Sequence, residues 1–211
     1  LNGGKNNSKN PSSYKVTTST ITLKKPTRKG YKFVGWYSDK KCTKKVTKIK
    51  KGSTGNITLY AKWSIETYDI TYKLNGGKNS SKNPANYKVT TPTIKLQKPS
   101  RTGYTFKGWY SDKKCTQKVT EIKQGSTGNQ TLYAKWEAKD YKITYNLNGG
   151  KNNSKNPTSY TVKTSNITLK KPTKTGYKFV GWYSDKKCTK KVTKIKQGST
   201  GSKTLYAKWK K

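Results

Sequence analysis

The chain has 211 residues, with 48 lysine and arginine side chains against 8 aspartate and glutamate side chains, which gives a formal net charge of +40. It contains no histidine and only three cysteines, which excludes a histidine base and a zinc site built from clustered His and Cys ligands. No apolar run reaches the 18 residues or more that a membrane-spanning helix needs, so we expect no membrane insertion.

Few aliphatic residues together with a high net charge are typical of a disordered chain. Leu, Ile, Val and Phe supply only 30 of the 211 residues. However, 6 tryptophans, 16 tyrosines and 3 phenylalanines recur in a fixed register. A buried Trp or Tyr covers on the order of 150–250 Å², so aromatic side chains can replace the missing aliphatic ones. We therefore predict folded units with aromatic cores.

Two aromatic signatures recur with a period of 73 residues. Residues 30–42 return as 103–115 and 176–188, and the sequence Leu-Tyr-Ala-Lys-Trp stands at 59–63, 132–136 and 205–209. A strict period of this length indicates a tandem array of one structural module. We predict three modules at 1–63, 68–136 and 141–209, joined by short connectors at 64–67 and 137–140, and we call them the first, middle and third repeats.

Each complete repeat begins with a strand, as the middle one illustrates. Residues 68–74 alternate apolar and polar side chains, the pattern of a half-buried strand. Asn-Gly-Gly at 75–77 then supplies residues that tolerate positive φ, which predicts a turn. A polar loop follows over 78–86, and residues 87–89 and 93–96 are short β candidates. Residues 98–103 form a second loop that leads into the aromatic signature.

The aromatic signature predicts a strand with a bulge. Tyr104 and Phe106 share one face, and strict alternation would place Trp109 on the other. Gly108 stands immediately before Trp109 and favours a bulge that turns the indole into the core. The predicted core has one Phe and two Trp in each repeat: Phe33, Trp36 and Trp63; Phe106, Trp109 and Trp136; Phe179, Trp182 and Trp209.

The segment after the signature is ambiguous. A Ser-Asp pair predicts a turn, and Cys42, Val46 and Ile49 then follow at helical spacing. The β-branched residues in this segment weaken a helix, so we predict a turn and one short irregular or helical piece. Cys42, Cys115 and Cys188, one in each repeat, are expected to be small buried hydrophobes.

The repeat ends in a strand at 131–136, after a Gly-rich loop at 125–129. Leu132, Ala134 and Trp136 are predicted to face inward. The connectors hold no Gly or Pro, so three units of roughly 30 Å each would make a rod of about 90–100 Å. Acidic residues gather at these connectors (Glu66, Asp69, Glu137 and Asp140), and we expect them to pair with lysines of the adjoining repeat.

The first repeat starts at Leu1, which aligns with Leu74 and Leu147. It lacks the strand equivalent to residues 68–73, so we expect an unpaired strand edge and an exposed apolar face. We predict that it is the least ordered repeat. Because Leu1 lies in mid-module, we also expect the chain to be a piece of a longer protein.

The combined motifs point to a known family. Gly-Tyr-x-Phe-x-Gly-Trp-Tyr, followed at fixed distance by Leu-Tyr-Ala-Lys-Trp and preceded by an alternating strand with an Asn-Gly-Gly turn, resembles the internalin B-repeat, or Listeria–Bacteroides repeat. The resemblance implies a small β-grasp-like module strung in tandem in surface or secreted proteins, mostly of Gram-positive bacteria. It implies no enzymatic role, an extracellular or wall-associated location, and no catalytic, metal or cofactor residues to transfer. The high lysine content and the one Cys per repeat depart from many relatives.

Lysine clusters are the one candidate binding feature. We define two lysine patches, in the first and third repeats: Lys40, Lys41, Lys44, Lys45 and Lys48; and Lys186, Lys187, Lys190, Lys191 and Lys194. The middle repeat is less basic there, because Gln117 and Glu121 interrupt its lysines. Such patches attract anionic polymers: wall teichoic acid, host glycosaminoglycan or free nucleic acid. Exposed Tyr60, Tyr133 and Tyr206 would add stacking. Only Arg28 and Arg101 are arginine, which disfavours sequence-specific nucleic-acid binding.

Two functions therefore remain open. The leading one is a non-catalytic spacer or adhesion stalk that holds other domains of a longer surface protein away from the cell. The alternative is a module that binds anionic polymers through its lysine patches. No cofactor is expected for either function.

Overall fold

The computed structural model describes all residues from 1 to 211, which form nineteen β-strands and no helix. The mostly β class predicted from the alternating segments is confirmed. The chain divides into two compact units, and the middle repeat contributes to both. The first unit holds Leu1–Lys73, Ser81–Gln97 and Ser111–Leu132, and the second holds Leu74–Ser80, Lys98–Tyr110 and Tyr133–Lys211.

Corresponding strands recur along the chain. The first repeat contributes β1 (Ile21–Thr22), β2 (Tyr31–Tyr37), β3 (Lys45–Val46), β4 (Lys48–Ile49) and β5 (Tyr60–Ile65). The middle repeat contributes β6 (Thr67–Lys73), β7 (Asn86–Lys88), β8 (Ile94–Lys95), β9 (Tyr104–Tyr110), β10 (Lys118–Val119), β11 (Glu121–Ile122) and β12 (Gln130–Ala138). The third contributes β13 (Tyr141–Asn146), β14 (Ser159–Tyr160), β15 (Ile167–Thr168), β16 (Lys178–Tyr183), β17 (Lys191–Val192), β18 (Lys194–Ile195) and β19 (Lys203–Lys210).

The third repeat lies wholly in the second unit and has a five-stranded mixed sheet. The strand order is β14-β13-β19-β16-β17, and β15 and β18 pair separately. The first strand, β13, runs parallel to the last strand, β19, with Ile143 opposite Lys203 and Asn146 opposite Tyr206. β16 and β14 are antiparallel to their neighbours. Parallel terminal strands joined by a crossover fit the β-grasp-like expectation, but the crossover contains no helix.

The core of the third repeat lies against this sheet. Its buried members are Ile143, Tyr160, Trp182, Ile195, Leu205 and Ala207. Phe179 and Trp209, which were predicted for the core, are half-buried and pack at its margin. The Phe179 ring meets the Trp182 and Trp209 rings edge-on, with centroids 5.5 and 5.4 Å apart. The aromatic groups therefore interlock, while short aliphatic side chains fill the centre.

The other two repeats place the predicted core residues alike. Trp36 and Trp109 are buried, with 6% and 2% of their surface exposed. The remaining predicted residues are half-buried: Phe33, Trp63, Phe106 and Trp136. Each phenylalanine contacts both tryptophans of its repeat in an edge-on arrangement.

The predicted bulge is present in each aromatic strand. In β9, Phe106 pairs with Trp136 and Gly108 with Lys135, so Lys107 has no opposite residue. The bulged residue is thus the one before the glycine. The extra residue reverses the alternation, and the indole of Trp109 turns inward. The inward position predicted for Trp109 is confirmed.

The Asn-Gly-Gly segment forms the predicted turn and supports a tryptophan. Asn148 and Gly149 have φ values of 47° and 81°, and Gly150 N donates to Leu147 O at 3.0 Å. The Trp209 indole then donates from Nε1 to the same Leu147 carbonyl at 2.8 Å. A Cβ at Gly150 would lie 2.5 Å from Cζ2 of Trp209. Only glycine fits under the ring.

The short helical alternative after the signature is wrong. Residues 45–46 and 48–49 are the strands β3 and β4, and their counterparts in the other repeats are strands too. Val46 pairs with Trp36 and Ile49 with Ile21. The β-branched side chains favour this extended backbone, where their partners on neighbouring strands outweigh the helical spacing.

The first repeat has an open side. Its sheet has the order β3-β2-β5, so β5 has no strand on its outer edge. A cleft of about 500 Å³ opens there, lined in part by Leu1, Trp36 and Leu59. In the third repeat, Tyr145 of β13 covers the equivalent tryptophan, with its ring 5.2 Å from that of Trp182. The expected unpaired edge and apolar face are both present, while the lower order of this repeat stays a prediction.

Successive repeats meet through a valine that packs against a glycine. In the first unit, Val89 lies so close to Gly30 that a Cβ there would be 2.5 Å from the valine Cβ, and Glu66 N donates to Gly30 O at 3.0 Å. In the second unit, Val162 occupies the same place against Gly103, and the Lys139 amide donates to Gly103 O at 2.9 Å. We call these contacts the valine–glycine joints.

The segments predicted as connectors are mostly strand. β5 extends to Ile65 and β6 starts at Thr67, while β12 extends to Ala138. The acidic residues here do not pair with the adjoining repeat as expected. Glu66 accepts a hydrogen bond from the Tyr68 hydroxyl at 2.7 Å, which raises the pKa of Tyr68 to about 12. Glu137 pairs at 2.8 Å with Lys107, because the β9–β12 pairing brings that lysine within reach.

Candidate polyanion-binding hairpins

The lysine patches lie on tight hairpins that follow the aromatic strands. In the first repeat, residues 38–44 connect β2 to β3, which are antiparallel, with Tyr37 opposite Lys45. The loop closes where Ser38 N donates to Lys44 O at 3.0 Å. The third repeat repeats this geometry between β16 and β17, where Ser184 N donates to Lys190 O at 3.0 Å. We call the two loops the lysine hairpins.

An aspartate fixes the conformation of each hairpin. The Asp39 carboxylate accepts the Lys44 amide at 2.6 Å and the Thr43 amide at 3.0 Å. These backbone donors, with that of Lys44 first, hold the pKa of Asp39 below its usual value, and Asp185 is held in the same way by Lys190 and Thr189. The carboxylates are turn residues, as the Ser-Asp pair predicted. Their negative charge is directed at the loop backbone.

The cysteines occupy the corner of the same loop. Cys42, Cys115 and Cys188 have φ values of 54°, 55° and 55°, and all three thiols are free and half-buried. The prediction of small buried hydrophobes is wrong. Each thiol donates to a carbonyl two residues earlier, in the first repeat from Cys42 Sγ to Lys40 O at 3.8 Å. The residue therefore serves the turn and does not fill the core.

All ten patch lysines are exposed. The aliphatic parts of two of these side chains pack directly over glycines. A Cβ at Gly35 would stand 2.9 Å from Cε of Lys45, and one at Gly181 would stand 2.9 Å from Cε of Lys191. Along β3 and β4, Val46 and Ile49 point inward, which leaves Lys45 and Lys48 on the solvent side. The fold thus exposes all five lysines of one hairpin and its strands to solvent.

Ion pairs distinguish the middle repeat. Lys95 pairs with Glu121 across β8 and β11, and this contact lowers the pKa of Glu121. At the corresponding positions of the other repeats, Lys48 faces Thr22 and Lys194 faces Thr168. Neither the Lys95–Glu121 pair nor the Lys107–Glu137 pair includes a patch lysine. Each patch of five lysines has one aspartate in its hairpin, Asp39 or Asp185, so the patches keep a net positive charge.

The tyrosines expected to stack on a ligand are not exposed. Tyr60, Tyr133 and Tyr206 are half-buried. Each stands opposite another tyrosine in the antiparallel pair, as Tyr206 does opposite Tyr183. The alternation placed them on the outer face correctly, but the neighbouring strand covers part of each ring.

Sequence reasoning missed a second set of basic side chains that stack on tyrosines. The guanidinium carbons of Arg28 and Arg101 lie 3.7 Å from the ring centroids of Tyr31 and Tyr104. In the third repeat Lys174 Nζ lies 4.2 Å from the ring centroid of Tyr177. The signal was available, because a cation stands three residues before the first tyrosine of every aromatic signature. These cation–π contacts use the two arginines inside the fold.

Each hairpin contains lysines, one aspartate held by backbone amides and one free cysteine. No group of three or more His, Cys, Asp or Glu side chains could hold a metal ion, and no helix is long and apolar enough to cross a membrane. The lysine side chains of the hairpins can attract the anionic groups of a ligand and neutralise their charge.

The chain matches one repeat family and is similar to parts of known proteins. The profile described as the Listeria-Bacteroides repeat domain matches residues 1–62, 68–135 and 141–208. Two proteins of Evansella cellulosilytica, provisionally named a Gly-rich membrane protein and a membrane protein, are each 35% identical over 87% of this chain, which covers 21% and 27% of their lengths. Internalin H of Listeria monocytogenes is 34% identical over 54% of the chain, which covers 21% of its length. No solved structure matches.

Proposed function

Because the chain belongs to the Listeria–Bacteroides repeat family, we propose that it is a non-catalytic spacer segment of a bacterial surface protein. It spans about a fifth to a quarter of the length of the relatives it matches. The remaining parts of such proteins would carry the activity, and this segment would set their distance from the cell surface.

The observation that carries the proposal is the recurrence of the valine–glycine joint. A spacer must hold each repeat in a fixed position relative to the next one, and this requires a defined contact at each junction. Gly30 and Gly103 leave room for Val89 and Val162, and the backbone bonds of Glu66 and Lys139 lock the chain beside them. Free linkers would lack both features.

A matched pair of glycine variants tests the joint. Gly103 and Gly176 are equivalent and have φ values of 79° and 75°, so alanine costs each about 1–3 kcal/mol of backbone strain. Only at Gly103 does the new methyl group meet a valine, since nothing lies within 4 Å of a Cβ at Gly176. Gly103→Ala should therefore open the joint, and Gly176→Ala should not.

The readout is hydrogen exchange of the Lys139 amide, followed by NMR in the full chain. We expect faster exchange in Gly103→Ala than in Gly176→Ala, with the Glu66 amide unchanged in both as an internal control. Equal exchange at Lys139 in the two variants would contradict the spacer function.

A second function is supported by the exposed charge. The patch lysines are exposed, and the aspartates hold the backbone of their hairpins in place. A loop whose backbone is already ordered loses little freedom on binding, and a polyanion releases its counterions when it binds lysine side chains. We propose that the patches bind anionic polymers, with the third repeat stronger than the middle one.

Charge-matched variants of the full chain separate this proposal from general attraction. One replaces the third patch, Lys186, Lys187, Lys190, Lys191 and Lys194, with Gln. The other replaces five exposed lysines elsewhere in the third repeat with Gln: Lys151, Lys155, Lys170, Lys171 and Lys178. Both lose five charges. The patch variant should elute from heparin at lower salt than the control variant, and equal elution of the two would reject a localised site.

A further inference from the structure

The strands at the two ends of the third repeat form one parallel pair. The chain enters the repeat through β13 and leaves it through β19. These strands lie side by side in parallel, with four consecutive pairs from Ile143–Lys203 to Asn146–Tyr206. A tension applied along the chain pulls the start of β13 and the end of β19 in opposite directions. We propose that the third repeat is a mechanical clamp, which resists stretching because tension loads this pair in shear.

The geometry determines how the bonds are loaded. In parallel strands the hydrogen bonds run between the strands at even spacing. When the strands are pulled past one another along their length, all of these bonds carry the load together. When two strands are pulled apart from the same end, the bonds break one after another. The same set of bonds is therefore much stronger in shear than in peeling.

Side chains add further crosslinks to the sheared pair. Just beyond β13, the Leu147 carbonyl accepts the Trp209 indole at 2.8 Å, and the Asn148 side chain donates to Ala207 O at 2.7 Å. Both bonds connect the far end of β13 to β19. At the other end, Lys142 N donates to Ser202 Oγ at 3.3 Å. Sliding must break these bonds as well as the ladder.

The pair is also shielded from water. Ile143 and Leu205, one on each strand, are both 2% exposed and belong to the same core. Water cannot replace the strand hydrogen bonds until the core has opened, which keeps the bonds intact under load. On its other edge β19 is held by β16 through five residue pairs. The clamp is therefore at the centre of the sheet.

The clamp deepens the spacer function and rests on it for its use in the cell. A spacer between a cell surface and a bound target carries tension whenever the target moves. The first repeat of this chain offers a comparison, because its last strand, β5, has no parallel partner. It should unfold at lower force than the third.

Single-molecule stretching of the full chain tests the proposal. Handles attached through Asp140→Cys and Lys210→Cys load β13 and β19 in shear. Handles attached through Asp140→Cys and Ser202→Cys pull the same two strands apart from one end. Cys42, Cys115 and Cys188 are replaced by Ser in both proteins, and Ser202→Ala is added to the first so that both lack the Ser202 hydrogen bond.

We expect a mean unfolding force several-fold higher in shear than in peeling at the same loading rate. The increase in length on unfolding identifies the repeat and shows that it was folded. It equals the extended length of the chain between the handles, about 240 Å for the 70 residues of the first pair and about 210 Å for the 62 residues of the second, less the distance between the handles in the folded repeat. Equal forces in the two geometries would overturn the clamp. Exchange of the Lys139 amide would still report separately on the spacer function.

Discussion

Truncation of one leucine in two repeats tests how far the open side weakens the first repeat. Leu205 is 2% exposed, and its equivalent in the first repeat, Leu59, is half-buried and lines the 500 Å³ cleft. Leu205→Ala should cost about 3 kcal/mol, since it removes buried surface and leaves an enclosed cavity. Leu59→Ala should cost about 1 kcal/mol, because its side chain is already partly in water and no closed void forms.

The size of the first effect is large for a repeat of this length. Stabilities of roughly 0.05–0.15 kcal/mol per residue give each repeat about 3–10 kcal/mol. Leu205→Ala therefore removes a third or more of the stability of the third repeat. Leu132, which is 0% exposed, should behave like Leu205 and provides a second enclosed site.

Hydrogen exchange resolved by peptide mass spectrometry measures these changes in the intact chain. A whole-chain melting curve is unsuitable, because three repeats need not unfold as one two-state unit. Amides of β19 should exchange about 100-fold faster in Leu205→Ala, and amides of β5 about 5-fold faster in Leu59→Ala, at 1.4 kcal/mol per factor of ten. Equal acceleration in the two repeats would refute the argument from burial.

Three further predictions address the first repeat, the hairpins and the turns. In the unmodified chain, amides of β2 should exchange faster than those of β16, because one side of the first repeat is open; slower exchange in β2 would contradict this. Asp185 has a lowered pKa, so the stability that its carboxylate contributes is complete at neutral pH and is lost as the pH falls below the usual value of 3.8. The difference in hydrogen exchange of the third repeat between Asp185→Asn and the parent should therefore shrink in acid. A difference that stays constant with pH would refute the stabilising role of the ionised carboxylate. Gly150→Ala should destabilise the third repeat, because the new methyl group meets the Trp209 ring and the backbone oxygen of Thr173; hydrogen exchange in the third repeat no faster than in the parent would reject the steric explanation.

The aromatic signature made much of the fold predictable. Gly108 beside Trp109 indicated a bulge, since a strict alternation could not bury both Phe106 and the indole. The Asn-Gly-Gly turn followed from the φ preferences of those residues. Both features depend on residues close together in sequence, and local patterns describe such features well.

Other features could not be predicted because they join distant residues. The parallel pairing of Ile143 with Lys203 spans 60 positions, and nothing local in either strand indicates its direction. The joint between Gly103 and Val162 likewise depends on how two repeats meet. Cys42 was misplaced because its apolar character suggested the core, whereas the Asp39 turn forces it into a left-handed corner.

The lysine patches were located by sequence, but their surroundings were not. Counting charges in a segment identifies a basic hairpin without showing which carboxylates reach it. Glu121 could be assigned to Lys95 only once β8 and β11 were seen to pair. The partial burial of Tyr206 likewise became visible only with Tyr183 opposite it.

The valine–glycine joint uses the same two positions at every junction, and this makes the copies interchangeable. Val16, the counterpart of Val89 and Val162, is 54% exposed, and the space above Gly176 is empty. Any copy can in principle follow any other without a change of sequence at the contact. Unequal recombination between such similar stretches of gene would then lengthen or shorten the protein one copy at a time, and each product would fold with its junctions already fitted.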